Sequence, residues 1–460
     1  MSPDAFAYAH VNQARFVREL REFVSFPSVS ARPENTGDMV QCAGWLAKHL
    51  DLIGLQGVTV VPTAGHPLVY AEWLQARNAP TVLVYGHYDV QPADPLDQWH
   101  SPPFSPAIRG HYLFGRGASD DKGQMFAHLK AIESCLRTAG RLPVNVKCLF
   151  EGEEEIGSPN LSPFVAQNRR ALEADVVVVS DDSMPRPDRP AIIYAMRGAL
   201  MMEVEVRGQE SDLHDGLFGG MVHNPVQGLC KLVSGLHTNT GRIAIHGFYD
   251  RVREASVEER RFMAANGRTD AQLLKTVRAA QPWGERGFTL YERATIRPSL
   301  TISGVSGGYQ GVGPKSIIPA RASAKLNFRL VPDQNPAEIE QLVRSHIARH
   351  TPPTLQSTIK TYSTAEPVVI DRHHPFIAAA AAACEKGFGA APVFLRSGGT
   401  IPPVAAFQNT LNIPVALIGL GLPDDRIHAP NERFNLSNFR KGIATSILFM
   451  EKVRHCHHDY

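Results

Sequence analysis

The chain has 460 residues, of which 43% are hydrophobic and 20% charged, and its formal net charge is +2. This length predicts two domains, or one large domain with an insertion. The balanced charge indicates neither a nucleic-acid nor a membrane partner, and no apolar run approaches the length of a membrane span. Scattered cysteines without a C-x-x-C pair favour reduced thiols, and an N-terminus without a signal segment predicts a cytoplasmic protein.

The first part of the chain predicts two helices and then strands. Apolar residues at helical spacing predict helices over residues 11–23 and 41–53, and paired strands follow over residues 58–61 and 68–73. The apolar run 81–86 predicts a buried strand that ends at His87 and Asp89. Histidine is the commonest neutral metal ligand, and a nearby carboxylate such as Asp89 often fixes its tautomer.

Two adjacent aspartates, Asp120 and Asp121, follow a pair of glycines and precede a helical pattern that includes Met125 and Leu129. An aspartate at a helix start is often only a cap. One cap needs one carboxylate, and here there are two, so Asp120 is also a candidate ligand.

Four glutamates in five positions follow the predicted strand 144–150: Glu151, Glu153, Glu154 and Glu155. Charge runs are often solvated loops, and carboxylates are rarely buried unless they are paired or bind a cation. Because open α/β sheets place ligands at the carboxyl ends of their strands, this loop predicts a site that uses one or two of Glu153 to Glu155.

Two more apolar strands end near polar groups. Four valines at 176–179 predict a strand buried on both faces, as in a parallel sheet, and Asp181 and Asp182 follow it as rival ligands. An alanine-rich helix is predicted over 375–386. The apolar run 413–420 predicts another strand, after which His428 and Glu432 appear.

The patterning changes near residue 197. Alternation over 200–206 and 322–331 predicts antiparallel strands, residues 225–237 and 336–349 predict helices, and residues 248–287 predict a polar, helix-rich excursion. We therefore predict an α/β catalytic domain from residues 1–196 and 368–460, with an α+β domain inserted at 197–367.

The groups at the strand ends form a mixed nitrogen and oxygen ligand set without thiolate, which suits zinc, manganese or cobalt. The set is His87, Asp120, one or two of Glu153 to Glu155, Asp181 and His428. It is too large for one tetrahedral ion. Two ions sharing a bridging carboxylate would use it fully and would activate a bridging water for hydrolysis.

Four segments resemble the signatures of the M20 metallopeptidases, in particular the carnosinase-like dipeptidases. They are residues 86–90 (GHYDV), 115–123 (GRGASDDKG), 151–158 (EGEEEIGS) and 428–432 (HAPNE), in the same order across nearly the whole chain. The resemblance implies a zinc-peptidase-like catalytic domain with a mixed, largely parallel sheet. It also implies a lid and dimerisation domain, and a cis peptide bond between Asp120 and Asp121.

The resemblance also implies the roles of the site residues. His87 and Asp181 would bind one divalent ion, Glu155 and His428 the other, and Asp120 would bridge them, with zinc expected and manganese or cobalt as alternatives. Glu154 would be the general base, and Asp89 would support His87 as a further catalytic residue. The Ser-Asp order of the family favours Asp181 over Asp182.

The inserted domain carries a second resemblance, because residues 212–220 (DLHDGLFGG) are similar to the carnosinase-type Asp-Leu-His-Ser-Gly segment, with Asp215 in place of serine. It implies that His214 reaches into the active site of the partner subunit in a homodimer and stabilises the oxyanion. The implied substrate-binding residues are Arg329, which would grip a free carboxylate, and Ser316, Ser397, Gly398 and Gly399.

The predicted function is therefore a dinuclear metal-dependent hydrolase that cleaves the amide bond of dipeptides or short peptides with a free C-terminal carboxylate. An N-acyl-amino-acid deacylase of the aminoacylase or desuccinylase type would use the same machinery and stays open as an alternative. A non-catalytic scaffold is disfavoured because the ligands and the base are present. A dinucleotide-binding oxidoreductase is disfavoured because Asp120 stands where the third glycine of G-x-G-x-x-G belongs.

Overall fold

The computed structural model describes residues 3–456. The chain divides into two compact units. The first contains residues up to Tyr194, Ile370–Leu395 and residues from Pro402 onward, and the second contains Ala195–Val369 and Arg396–Ile401. Within the described residues, no helix is both long and apolar enough to cross a membrane.

The helices are α1 (Pro3–Val11), α2 (Gln13–Ser25), α3 (Thr36–Ile53), α4 (Lys122–Ala139), α5 (Leu161–Gln167), α6 (Asp215–Phe218), α7 (Pro225–Ser234), α8 (Val257–Asn266), α9 (Asp270–Val277), α10 (Leu290–Thr295), α11 (Pro336–His350), α12 (Pro375–Phe388), α13 (Pro402–Leu411) and α14 (Leu436–Val453). Helix α3 begins five residues before its predicted start at residue 41, and its first three residues are polar or glycine.

The strands are β1 (Gln56–Val61), β2 (Leu68–Trp73), β3 (Thr81–His87), β4 (Ala107–Arg109), β5 (Tyr112–Phe114), β6 (Asn145–Glu151), β7 (Val176–Val179), β8 (Ala191–Met196), β9 (Gly198–Arg207), β10 (Leu213–His214), β11 (Ser299–Gly307), β12 (Ile317–Ile318), β13 (Arg321–Leu330), β14 (Gln356–Ala365), β15 (Val368–Val369), β16 (Val393–Ser397), β17 (Val415–Gly419) and β18 (Arg433–Asn435). The two- and three-residue strands escaped prediction because they are too short to show alternation.

The main sheet of the first unit runs in the order β1-β2-β6-β3-β7-β17-β8. Strand β3 pairs parallel with both β6 and β7, and β17 pairs parallel with β7, whereas β1, β2 and β8 pair antiparallel with their neighbours. The predicted mixed, largely parallel sheet is confirmed. Since β3, β6 and β7 point the same way, their carboxyl ends meet at one edge.

Helix α4 is buried from Lys122 to Cys135, and the charged side chain of Lys130 lies within this buried stretch. Lys130 Nζ donates to Glu19 on α2, to Glu133 Oε2 at 2.8 Å and to His49 Nε2 at 2.6 Å. Its ammonium also lies 4.6 Å from the ring centroid of Phe126. Buried charges are tolerated when they are paired in this way, so the network joins α2, α3 and α4.

The second unit contains an antiparallel sheet in the order β11-β13-β9-β14. The predicted antiparallel strands are β9 and β13, which pair directly with Lys325 opposite Glu203. Alternate residues of β9 and β13 are buried and pack with α7 and α11 in one hydrophobic cluster. The predicted polar excursion contains α8 and α9.

Candidate metal centre

The polar side chains predicted at strand ends come together at one edge of the first unit's sheet. His87 is the last residue of β3, the acidic loop follows β6, and Asp181 lies two residues beyond β7. His428 lies on the loop between β17 and β18. Parallel pairing of β3 with β6 and β7 therefore places these groups in contact range.

His87 is fully buried and its two ring nitrogens face different groups. Nδ1 lies 3.1 Å from the backbone oxygen of Asp89 and 3.3 Å from Asp89 Oδ1, so a proton on Nδ1 is satisfied there. Nε2 lies 3.1 Å from Asp120 Oδ1 and 3.9 Å from Asp181 Oδ2. This arrangement leaves Nε2 as the nitrogen able to ligate an ion.

Asp120 stands between two ligand groups, because each of its oxygens faces a different histidine. Oδ1 faces His87, whereas Oδ2 lies 2.9 Å from His428 Nε2, which is also 3.2 Å from Glu155 Oε2. In each group, His87–Asp120–Asp181 and Asp120–Glu155–His428, the ligand atoms lie within 4.8 Å of one another. The Asp120–Asp121 peptide bond is cis, as the resemblance implied.

Glu432 holds the turn that carries Asp120, a role that sequence reasoning missed. Its carboxylate accepts hydrogen bonds from the backbone N–H groups of Gly117 (3.0 Å), Ser119 (2.9 Å) and Asp120 (3.1 Å), and from Arg116 Nη1 (2.8 Å). Gly117 has φ +82°, a conformation that glycine adopts at little cost. The segment 428–432 was part of the resemblance, but nothing local indicated which donors Glu432 would meet.

The structure divides the four glutamates of the acidic loop into two pairs. Glu151 accepts hydrogen bonds from Tyr85 (2.6 Å) and Ser158 (2.9 Å). Glu153 accepts from His66 N (3.0 Å) and Asn160 Nδ2 (2.8 Å). Because these hydrogen bonds occupy Glu151 and Glu153, Glu154 and Glu155 are the two glutamates that remain for the metal centre.

Asp89 orients the remaining pair. Its carboxylate accepts from the backbone N–H groups of Glu154 (3.2 Å) and Glu155 (3.1 Å) while contacting His87. Gln91 Nε2 donates to Glu155 Oε2 at 2.9 Å. The half-buried Glu154 carboxylate accepts no hydrogen bond from any residue between 3 and 456, which leaves its oxygens available to accept a proton. Of the two rival aspartates, Asp181 and not Asp182 belongs to a ligand group.

The centre contains more carboxyl groups than imidazoles, since Asp120, Glu154, Glu155 and Asp181 surround His87 and His428. Burial raises the pKa of Asp181 to about 7, and burial together with neighbouring carboxylates raises the pKa values of Glu154 and Glu155. Burial alone would lower the pKa of His428, but its hydrogen bonds to Asp120 and Glu155 raise it to about 10. Cations are therefore favoured at this edge.

Two divalent ions fit this donor set. Asp120, Glu154, Glu155 and Asp181 would contribute four negative charges when ionised, and two divalent ions would balance them. Imidazole and carboxylate donors suit zinc, manganese or cobalt. A third cluster in the described chain, Glu19, His49 and Glu133, does not fit an ion, because the Lys130 ammonium already occupies it.

Four of the predicted substrate-binding residues lie together in the second unit. Arg329 Nη1 donates to Thr400 Oγ1 at 2.6 Å, at the end of the loop that carries Ser397, Gly398 and Gly399. The Gly399 N–H donates to Ser397 Oγ at 3.2 Å, so one backbone donor is already used within the loop.

His214 and Ser316 form a separate pair of neighbours. His214 pairs with Ile317 in the short β10–β12 ladder, and Asp215 N donates to the backbone oxygen of Ser316 at 3.2 Å. Both side chains are exposed within one chain. The strands that align them, β10 and β12, have two residues each and are too short to be predicted from alternation in the sequence.

Comparison with known proteins identifies the family. The sequence profile described as peptidase family M20/M25/M40 matches residues 83–452. The chain belongs to this peptidase family. The M20 fold and a metal-dependent peptidase activity are thereby established for it.

This M20 peptidase is similar to several characterised proteins over nearly its whole length. It is 30% identical to the Cys-Gly metallodipeptidase of Candida albicans, over 94% of this chain and 93% of that protein. It is 30% identical to the Beta-Ala-His dipeptidase of Homo sapiens, over 98% of this chain and 92% of that protein. A solved M20 family metallo-carboxypeptidase from Sulfolobus solfataricus shares 34% identity with a TM-score of 0.87, over 95% of this chain and 99% of that one.

Proposed function

We propose that this M20 peptidase is a dinuclear dipeptidase that hydrolyses the last amide bond of dipeptides or short peptides with a free C-terminal carboxylate. The observation that carries the proposal is Asp120, whose two oxygens face two different histidine and carboxylate groups. His87 and Asp181 would hold one ion and Glu155 and His428 the other, with zinc as the expected metal.

Bound ions would supply Lewis-acid polarisation of the scissile carbonyl and a water of lowered pKa. The chain's own contribution begins with Glu154, whose carboxylate accepts no hydrogen bond from the part of the chain that the structure describes. Glu154 takes a proton from the attacking water while the oxygen of that water bonds to the carbonyl carbon. It then passes that proton to the amine nitrogen as the C–N bond breaks, which releases an amine and a carboxylic acid.

Asp89 supports this step from two directions. Its contacts with the His87 ring hold the tautomer that leaves Nε2 free for an ion. Its hydrogen bonds to the backbone of Glu154 and Glu155 fix the loop that carries the base and one ligand. Holding reacting groups in the correct geometry is a large part of the rate enhancement of an enzyme.

The second unit would recognise the substrate. Arg329 offers a guanidinium to the free carboxylate, and the loop 397–399 would add polar groups beside it. The relatives named above are two dipeptidases and a carboxypeptidase, which supports a peptide substrate and does not favour the N-acyl-amino-acid deacylase. His214 is exposed within one chain, and this supports a role at the active site of a partner subunit in a homodimer.

The test combines metal analysis with a substrate panel. Metal-free protein would be loaded with zinc, manganese or cobalt, and hydrolysis of cysteinylglycine, β-alanylhistidine and N-acetyl amino acids would be followed. We expect two ions per chain and faster cleavage of a dipeptide than of any N-acetyl amino acid. No more than one tightly bound ion after loading would contradict the dinuclear centre, and preference for an N-acetyl amino acid would favour the deacylase.

A further inference from the structure

Arg197 lies beside the loop that carries the proposed carboxylate-binding residues. Its Nε donates to the backbone oxygen of Gly398 at 3.1 Å, and its backbone N–H donates to the backbone oxygen of Gly399 at 3.2 Å. Its Nη1 donates to Ser299 Oγ at 3.0 Å and reaches the backbone oxygen of Arg297 at 3.4 Å. One residue thus ties the loop to the segment 297–299 and to the start of β9.

A hydrogen-bonded relay connects Arg197 with Arg329. The Thr400 hydroxyl accepts from Arg329 Nη1 at 2.6 Å and donates to the backbone oxygen of Arg197 at 2.6 Å. A hydroxyl has one donor and two acceptor positions, so it can serve both partners at once. The Arg329 side chain makes no other hydrogen bond within residues 3–456, so its Nε and Nη2 donors stay free.

Neither guanidinium is neutralised by the protein. Within the described chain no carboxylate pairs with Arg197 or Arg329, although both side chains are half-buried. The nearby Glu285 and Glu254 are paired with Arg297 instead. Burial, together with the charge of Arg329, lowers the pKa of Arg197 to about 10. Two cations held together without an acid form a place where an anion is favoured.

We propose that Arg197 is a positioning residue for recognition of the substrate's C-terminal carboxylate. It holds Gly398, Gly399 and Thr400, and Thr400 in turn aims Arg329 so that its free N–H groups face the carboxylate. The charge of Arg197 strengthens the same subsite. This inference rests on the proposed function and adds a residue to which the sequence pattern assigned no role.

The experiment compares a dipeptide with its own C-terminal amide. The substrate is whichever of cysteinylglycine and β-alanylhistidine the wild type cleaves faster, and the variants are Arg197→Met, Arg197→Lys and Arg329→Met. Arg197→Met should raise KM for the free acid roughly ten- to hundredfold with little change in kcat, because a displaced Arg329 and loop would lose charge-assisted hydrogen bonds to the bound anion in ground and transition state alike. KM for the amide should hardly change. Arg197→Lys keeps the charge but loses the planar fork, so its effect should be intermediate.

The matched control is Arg251→Met, since Arg251 lies in the same unit, is exposed and has Glu338 as its one ion-pair partner among residues 3–456. It should keep the wild-type preference for the free acid. A purely structural role for Arg197 would lower the melting temperature and affect both substrates equally. If Arg197→Met does not fold, a folded Arg197→Lys that prefers the free acid to the amide as strongly as the wild type would overturn the proposal.

The Arg329→Met variant distinguishes failure of the Arg197 role from failure of carboxylate recognition itself. If Arg329→Met no longer prefers the free acid to the amide but both Arg197 variants keep this preference, the role of Arg197 is rejected and the proposed function stands. Unchanged discrimination in all three variants would reject carboxylate recognition by this subsite altogether.

Discussion

Adjacent glutamates of the same loop carry out different tasks at the residue scale. Glu153 is buried and accepts hydrogen bonds from His66 and Asn160, whereas the Glu154 carboxylate has no hydrogen-bond donor in the described chain. A carboxylate occupied by donors is a poor base, because those donors stabilise its ionised form. The free carboxylate beside Asp181 and Glu155 is therefore the residue suited to accept a proton.

Replacing Glu154 by glutamine should leave the metal content unchanged and reduce kcat by about 10²–10⁴-fold, because the amide is nearly isosteric but accepts no proton from water. Steady-state rates and metal analysis of the same preparation would check this. The control is Glu153→Gln, which should instead lower stability by about 1–3 kcal/mol through a lost buried hydrogen bond. A rate for Glu154→Gln within tenfold of the wild type would exclude it as the general base.

At the element scale, α4 depends on the charge network around Lys130. His49 on α3 is buried, stacks on Trp45 with ring centroids 5.0 Å apart and lies 2.6 Å from the Lys130 ammonium. Burial and the charge of Lys130 lower the pKa of His49 to about 3, although Glu133 opposes this shift and Arg15 adds to it. His49 is therefore neutral in the folded chain well below its ordinary pKa of 6.5.

This depressed pKa predicts a loss of stability in acid. The folded chain keeps His49 neutral while the unfolded chain protonates it below pH 6.5, so the contribution is fully present above that pH and declines toward pH 3. Between pH 7 and pH 5 the loss from this group should be about 2 kcal/mol. His49→Gln should lack this component, which urea unfolding of both proteins at the two pH values would measure. Parallel pH profiles of the two proteins would contradict the prediction.

At the scale of the whole molecule, the proposed active-site residues are divided between the two units. The metal groups belong to the first unit, and Arg329, the loop 397–399 and His214 belong to the second. An imidazole N–H aimed at a carbonyl oxygen that becomes negative would contribute about 3–4 kcal/mol to catalysis. His214 is exposed within one chain, and the proposed homodimer would offer it to the active site of a second copy.

Mixing two inactive variants tests this arrangement. In a hybrid dimer of His214→Ala and Glu154→Gln, one site combines an intact Glu154 with His214 of the partner subunit. A statistical mixture should therefore regain up to about a quarter of the wild-type activity, because half of the dimers are hybrids with one competent site each. Hybrids confirmed by native mass spectrometry but no more active than either parent would rule out sharing, and a fully active monomer would also contradict the homodimer.

The sequence by itself determined which residue types stand at the ends of the core strands. Strand 81–86, the acidic loop and the valines before Asp181 were predictable, because hydrophobic periodicity reports burial over a few residues. Together with the resemblance of the four segments, this was enough to predict the family, the fold class and the ligand groups around Asp120. The predicted roles of individual site residues, the zinc, the homodimer and the cytoplasmic location stay predictions.

Only the tertiary structure decided how chemically equivalent side chains divide their tasks. Glu151 and Glu153 differ from Glu154 by their donors, of which Tyr85 and the backbone N–H of His66 come from distant segments. Glu432 meets Gly117 across 315 positions of sequence, and Arg197 meets Gly398 across 201. A carboxylate or guanidinium has the same local signature whether it binds an ion, holds a turn or stays free. Its task depends on which distant groups the fold brings within hydrogen-bond range.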